Sequence, residues 1–123
     1  MNGRQELEQA FAYDREGLEA EAIPHYERAI AAGLDDEQLA TAMLGLGSSL
    51  RNVERFDESV TVLEDAVARF PDHHSLPVFL AFSLWSAGRA NEALALLARR
   101  LGHGSGYERA IGEYADDIAR SRG

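Results

Sequence analysis

Met43-x2-Leu46-Gly47-x2-Leu50, followed by Ser59-Val60-x2-Leu63-x2-Ala66 and Pro71, is the stretch on which the architecture turns. Both of its halves recur. The second returns as Ala22-Ile23-x2-Tyr26-x2-Ala29 and as Ala93-Leu94-x2-Leu97, with 37 residues from Ala22 to Ser59 and 34 from Ser59 to Ala93. The first returns as Gln9-Ala10-x2-Tyr13 and as Leu80-Ala81-x2-Leu84. A period between about 20 and 50 residues marks a chain built from stacked supersecondary units. Steps of three and four keep apolar residues on one helix face, so each of the three units predicts a pair of helices.

Stops and starts agree with that period. Gly17, Gly33, Gly88 and Gly102 each follow an apolar stretch, where glycine takes the left-handed conformation that ends a helix. Asp35 or Asp36, Asp57, Ser75 with Pro77 just inside, and Asn91 are residue types that cap helix N-termini. The predicted helices span 4–16, 19–32, 36–53, 57–69, 76–87 and 91–101. Leu34, Asp35 and Asp36 lengthen the first spacing and predict a longer loop or an extra turn before the third helix. Pro24, early in the second helix, predicts a small kink because it lacks the N–H that an interior turn requires.

Beyond Gly102-His103-Gly104-Ser105-Gly106, the residues Tyr107, Ala110, Ile111, Tyr114 and Ile118 fall at helical spacing. They predict a seventh helix whose start is fixed by a capping box between Ser105 and Glu108. It is expected to lay Tyr107, Ile111, Tyr114 and Ile118 over the open end of the third unit, with Glu108, Glu113, Asp116 and Arg120 facing water, as the end of a repeat stack requires.

The units resemble the tetratricopeptide repeat, whose pattern of a bulky residue, Leu-Gly-x2-Tyr, Ala-x3-Phe and Pro is best met by Met43, Leu46, Gly47, Leu50, Ser59, Leu63 and Pro71. The resemblance covers residues 3–107, and the last helix is similar to the solvating helix of such domains. It implies an all-α, right-handed superhelical stack of three helix hairpins plus a C-terminal capping helix. The whole is one domain over 1–123, with repeats at about 3–36, 40–73 and 74–106 and the cap over 106–120. The first unit departs from the pattern. Glu6 and Gln9 stand where bulky apolar residues belong, while Leu7, Ala10 and Phe11 form their own stripe, which predicts a rotated first repeat.

Composition removes several chemistries. With 123 residues, 46% of them hydrophobic, the chain builds one compact domain. The absence of Cys excludes disulfides, thiolate nucleophiles and cysteine-ligated metals. All twelve basic residues are Arg, so neither the lysine of a phosphate loop nor a Schiff-base amine exists. Arg in place of Lys in an Ala- and Leu-rich chain points to a bacterial source. Net charge is -9, with 13 acids and 5 Arg up to residue 61 and 8 acids and 7 Arg after it. An acidic surface repels nucleic-acid phosphates and anionic lipid, so neither partner is expected. Charges from Arg4 to Glu16 leave no apolar signal segment, and the longest uncharged run, His73 to Gly88, is shorter than the ~20 residues of a membrane helix. The expected location is cytoplasmic.

The candidates for chemistry have plain readings. Asp72-His73-His74 is a solvated loop rather than a metal site, since adjacent residues rarely converge on one ion. Gly102 to Gly106 is a turn rather than an anion nest, and Ser105 lacks the flanking glycines of a nucleophile elbow. Carboxylate pairs such as Glu19 and Glu21 or Asp116 and Asp117 lie on wet helix faces. No catalytic residue, metal or cofactor is expected.

The resemblance implies that the first helix of each hairpin lines a concave groove. The family's groove positions fall on Arg4, Leu7, Phe11, Asp14 and Arg15; on Thr41, Leu44, Ser48, Arg51 and Asn52; and on Ser75, Val78, Phe82, Trp85 and Ser86. Three Arg against one Asp make this face locally positive in an acidic protein. Phe82 and the only Trp add residue types that, with Arg, dominate binding hot spots. Leu80, Ala81 and Leu84 already fill the core stripe of that helix, which favours the groove for Trp85 over packing beneath the last helix. The expected site is Phe11, Arg15, Leu44, Ser48, Arg51, Asn52, Val78, Phe82 and Trp85, taking a protein or peptide segment with apolar anchors and an acidic group. Relatives that bind chaperone tails clamp a terminal carboxylate with Lys, Asn and Arg. Lysine is absent here, and Phe11 and Ser48 replace the useful asparagines, so a heat-shock chaperone tail is not the expected ligand. The rival reading is self-association through the same face or the last helix, followed by a small-ligand carrier or an enzyme.

Overall fold

Helical spacing is realised throughout the computed structural model, which describes residues 1–121. The elements are α1 (Gly3–Arg15), α2 (Glu19–Ala32), α3 (Asp36–Asn52), α4 (Phe56–Arg69), α5 (Leu76–Ser86), α6 (Ala90–Gly102) and α7 (Glu108–Arg120). The described residues contain no strand. Every helix end lies within two residues of its expected position. α1 with α2, α3 with α4 and α5 with α6 form hairpins that stack in order, α7 packs on α6, and α3 also touches α5.

Packing explains the order. Leu7, Ala10, Ala22, Ile23, Tyr26, Ala29, Leu46 and Leu50 make one buried cluster; Met43, Val60, Leu63, Leu76, Leu80, Leu84 and Ala93 make the next. Ala10, Gly47 and Ala81, which recur with the repeat period, are all buried. Their small size lets the facing helix approach, as Leu63 does at Gly47. The expected rotation of the first repeat does not occur, because Glu6 is buried just as Met43 and Pro77 are at the matching positions. A buried carboxylate needs partners. His25 Nδ1 lies 2.6 Å from Glu6 Oε2, and Arg28 Nε donates to Oε1 at 3.1 Å.

The same turn joins the two helices of each hairpin. Gly17, Glu54 and Gly88 all have positive φ, at 74°, 65° and 80°. The amides of the following residues, Leu18, Arg55 and Arg89, reach back to the carbonyls of Tyr13, Leu50 and Leu84 at 2.8–2.9 Å. These are Schellman caps. Glu54 is the one non-glycine with positive φ among the described residues, at a conformation that costs an L-residue about 1–2 kcal/mol.

That turn also corrects two expected caps. Arg55 and Arg89, not Asp57 and Asn91, occupy the N-cap positions of α4 and α6, because the chain re-enters a helix directly from the turn. Asp35 does cap α3, in a capping box with Gln38, and Asn2 does the same for α1 with Gln5. The extra residues before α3 become an added turn, since α3 has 17 residues against 13 in α1. α2 continues unbroken through Pro24. Gly102 remains helical, with Ile111 of α7 seated against it, and the positive φ values fall instead on Gly104 and Gly106. Ser105 and Glu108 form no capping box. Ser105 Oγ accepts from Tyr107 N at 3.1 Å and Glu108 Oε1 from Gly106 N at 3.0 Å, so both brace the turn and α7 begins at Glu108.

Candidate functional site

Two hydrogen bonds, each spanning 35 residues, set the first helices of successive hairpins side by side. Ser49 Oγ of α3 donates to Asp14 Oδ1 of α1 at 3.0 Å, and Arg51 Nε of α3 donates to Ser86 Oγ of α5 at 2.8 Å. The expected groove residues thus share one row of helices, but they are not alike in environment.

Along α1 the row is closed. Leu7 is buried in the core, and Phe11 is half-buried with its ring edge-on to Tyr26, centroids 6.1 Å apart. Asp14 also accepts from the Tyr26 hydroxyl. Burial, reinforced by the Asp14 carboxylate, pushes the Tyr26 phenol well above its ordinary range. Asp14 therefore faces into the fold, and Arg15 is left exposed at the surface. In α3, Leu44, Ser48 and Arg51 are half-buried and Asn52 is exposed.

Along α5 the row is open. Leu76, Leu80, Ala81 and Leu84 face the core, while Val78, Phe82 and Trp85, at steps of four and three, face outward. Phe82 is 48% exposed and Trp85 65%, so Trp85 is not core packing. The Arg51 guanidinium carbon lies 5.9 Å from the Phe82 ring centroid. Held by Ser86 and by the ring face, this cation loses little freedom on taking a carboxylate.

Other singled-out residues have local duties. His73 Nδ1 accepts from the amides of Ser75 and Leu76, each at 3.3 Å, and so serves the start of α5. Among the described residues no group of three or more His, Asp or Glu is placed to hold a metal ion. At the Gly102–Gly106 turn the Gly106 amide is taken by Glu108, and this bonding holds the Glu108 carboxyl below its ordinary range. Sequence reasoning missed the buried polar links. Ser59 Oγ donates to the Gly47 carbonyl at 2.6 Å and lies 2.7 Å from Ser83 Oγ, pinning α3, α4 and α5 together. Serine at Ser59, where the repeat pattern has Ala, was the available signal.

The last helix departs from expectation. Ile111 and Ile118 are half-buried and Ala115 is fully buried, but Tyr107 is 72% and Tyr114 68% exposed. Tyr107 is the N-cap residue of α7 and Tyr114, at 100° per residue, sits beside the packed stripe rather than on it, and α7 packs chiefly on α6, which leaves that flank exposed.

The family model described as tetratrico peptide repeat matches residues 3–118. The chain belongs to the tetratricopeptide repeat family. Such repeats are non-enzymatic scaffolds that mediate protein–protein interaction. The match runs on through most of α7. Among curated proteins none matches the chain. No helix of this tetratricopeptide stack is long and apolar enough, among the described residues, to cross a membrane.

Proposed function

We propose that the row of α1, α3 and α5 binds a protein or peptide segment carrying apolar anchors and an acidic group. The observation that carries this reading is the outward stripe of Val78, Phe82 and Trp85 beside an Arg51 already fixed by Ser86 and Phe82. A contiguous apolar patch on a water-soluble surface is usually a binding site, and Trp, Arg and aromatic residues supply most interface energy. Because Asp14 is turned to Tyr26 and Ser49, its charge competes little with Arg15 and Arg51 for an incoming carboxylate. Phe11, Leu44, Ser48 and Asn52 then extend the surface toward the first hairpin.

Selection from a displayed library of random peptides tests this. The selected sequences should pair an aromatic or aliphatic residue with a neighbouring Asp or Glu, and should shift the fluorescence of the single Trp. Arg51→Glu and Trp85→Ala should each weaken such a peptide about thirtyfold, the ~2 kcal/mol of a hot-spot residue, with the helical circular dichroism retained. Peptides that bind both variants as tightly as the wild type would place recognition on another surface.

A further inference from the structure

The far end of the stack presents a second apolar surface of different geometry. α6 and α7 run antiparallel, with Arg99 paired to Asp116 and Asn91 Nδ2 donating to the Ser121 carbonyl at 2.9 Å. On α6, Leu94, Ala98 and Leu101 follow at steps of four and three; from the N-cap of α7 into the helix, Tyr107, Ala110 and Tyr114 follow at steps of three and four. Leu94 is exposed, and so is Leu101, at 86%. The open cleft between the two helices has a volume of about 570 Å³. Two antiparallel helices that each turn a seven-residue apolar repeat outward are half of a four-helix bundle.

We propose that a second copy of this chain supplies the other half, so that two stacks dimerise end to end through their α6–α7 faces about a two-fold axis. The surface is self-complementary. An axis beside Ala110 sets Tyr107 against the partner's Tyr114, and Tyr114 against the partner's Tyr107, as an isologous contact requires. Charge selects the same end. Residues 90–120 hold five acids and four Arg, three of those Arg already paired in Arg99–Asp116, Arg109–Glu113 and Arg120–Asp117, whereas residues 1–61 hold 13 acids and 5 Arg. Copies that meet at α6–α7 keep the first hairpin, which carries seven of those 13 acids, about 20 Å or more back on each side, behind two hairpins at 8–10 Å per helix layer, which is about two Debye lengths. The size also fits. Two tyrosines of ~150–250 Å² each, with the exposed leucines, give an apolar centre on the order of 400 Å², around which a rim completes the ~800 Å² per partner of a stable interface. None of this depends on the α1–α3–α5 reading.

Sedimentation of the full chain from ~1 μM to ~1 mM should show the mass rising from 13.5 kDa to twice that value. Leu101→Asp, at an exposed position, should raise the dissociation constant at least thirtyfold while the circular dichroism stays helical, and Trp85→Ala should leave it unchanged. Because the chain has no Cys, Ala110→Cys reports the axis: it should form a disulfide-linked dimer under mild oxidation, and Arg15→Cys at the opposite end should not. A monomer at every concentration, a dimer indifferent to Leu101→Asp, a dimer lost with Trp85→Ala, or equal cross-linking of the two cysteine variants would each overturn the proposal.

Discussion

Leu7, Phe11 and Asp14 in α1 stand at the same repeat positions as Val78, Phe82 and Trp85 in α5, 71 residues apart. In the first hairpin these positions hold the fold: Leu7 is core, Phe11 leans on Tyr26, and Asp14 bonds both Tyr26 and Ser49. In the third hairpin all three point to solvent. The repeat therefore fixes where a residue sits on its helix but not what it does there. Polar anchoring by Glu6 and Asp14 gathers at the N-terminal end, and unpartnered apolar surface gathers at the C-terminal end, from Val78 through Tyr114. One end is built to hold together, and the other leaves its apolar side chains exposed.

The contrast breaks most readily at Tyr26. Tyr26→Ala should cost about 3–5 kcal/mol and lower the urea midpoint accordingly, whereas Trp85→Ala should change stability by less than ~1 kcal/mol. Equal losses would erase the distinction between the two ends. Next in size, Asp14→Ala strands the Tyr26 hydroxyl and the Ser49 hydroxyl and should cost about 2–4 kcal/mol. A double-mutant cycle with Tyr26→Phe should show strong coupling, and additivity would mean that the link carries no energy.

Stability also depends on pH through Glu6. Hydrogen bonding from His25 outweighs the burial that opposes it, and with Arg28 it holds the Glu6 carboxyl below its ordinary value of about 4.3. Folded Glu6 binds its proton at lower pH than unfolded Glu6, so this contribution is complete above the ordinary value and is lost as pH falls through the depressed one. Urea midpoints between pH 3 and 6 should fall more steeply for wild type than for Glu6→Gln. Matching slopes would remove Glu6 from the account. Smallest is Glu54→Gly, which gives the middle turn the residue its two counterparts have. It should raise stability by about 0.5 kcal/mol, or ~2 °C in Tm by calorimetry, after the extra chain entropy of glycine is set against the relieved strain.

The helices were legible because apolar steps of three and four, with Gly17, Gly33 and Gly88, mark them locally. Cap identities at Asp57 and Asn91 were not, because the conformation of the preceding turn, shared by Glu54 with two glycines, decides where the next helix starts. The exposure of Phe82 and Trp85 followed from counting which stripe of α5 was already filled. The links from Asp14 to Ser49 and from Arg51 to Ser86 each join residues 35 positions apart, and no local pattern announces them. Tyr107 and Tyr114 were assigned to the cap because their spacing suits it. Their exposure depends on which flank of α7 meets α6, which is a property of the assembled stack.

The three Schellman turns bear on how the chain reaches this state. Each closes a hairpin with only neighbouring residues, and apart from α3 with α5 the main helix contacts join elements adjacent in sequence. No long loop must be closed before contacts begin to repay the lost chain entropy, which places the protein among fast, low-contact-order folders. The outer hairpins each have one hairpin neighbour and the middle one has two, so opening proceeds inward from the ends. Amide hydrogen exchange should then be slowest in α3 and α4, which Ser59 joins through the Gly47 carbonyl.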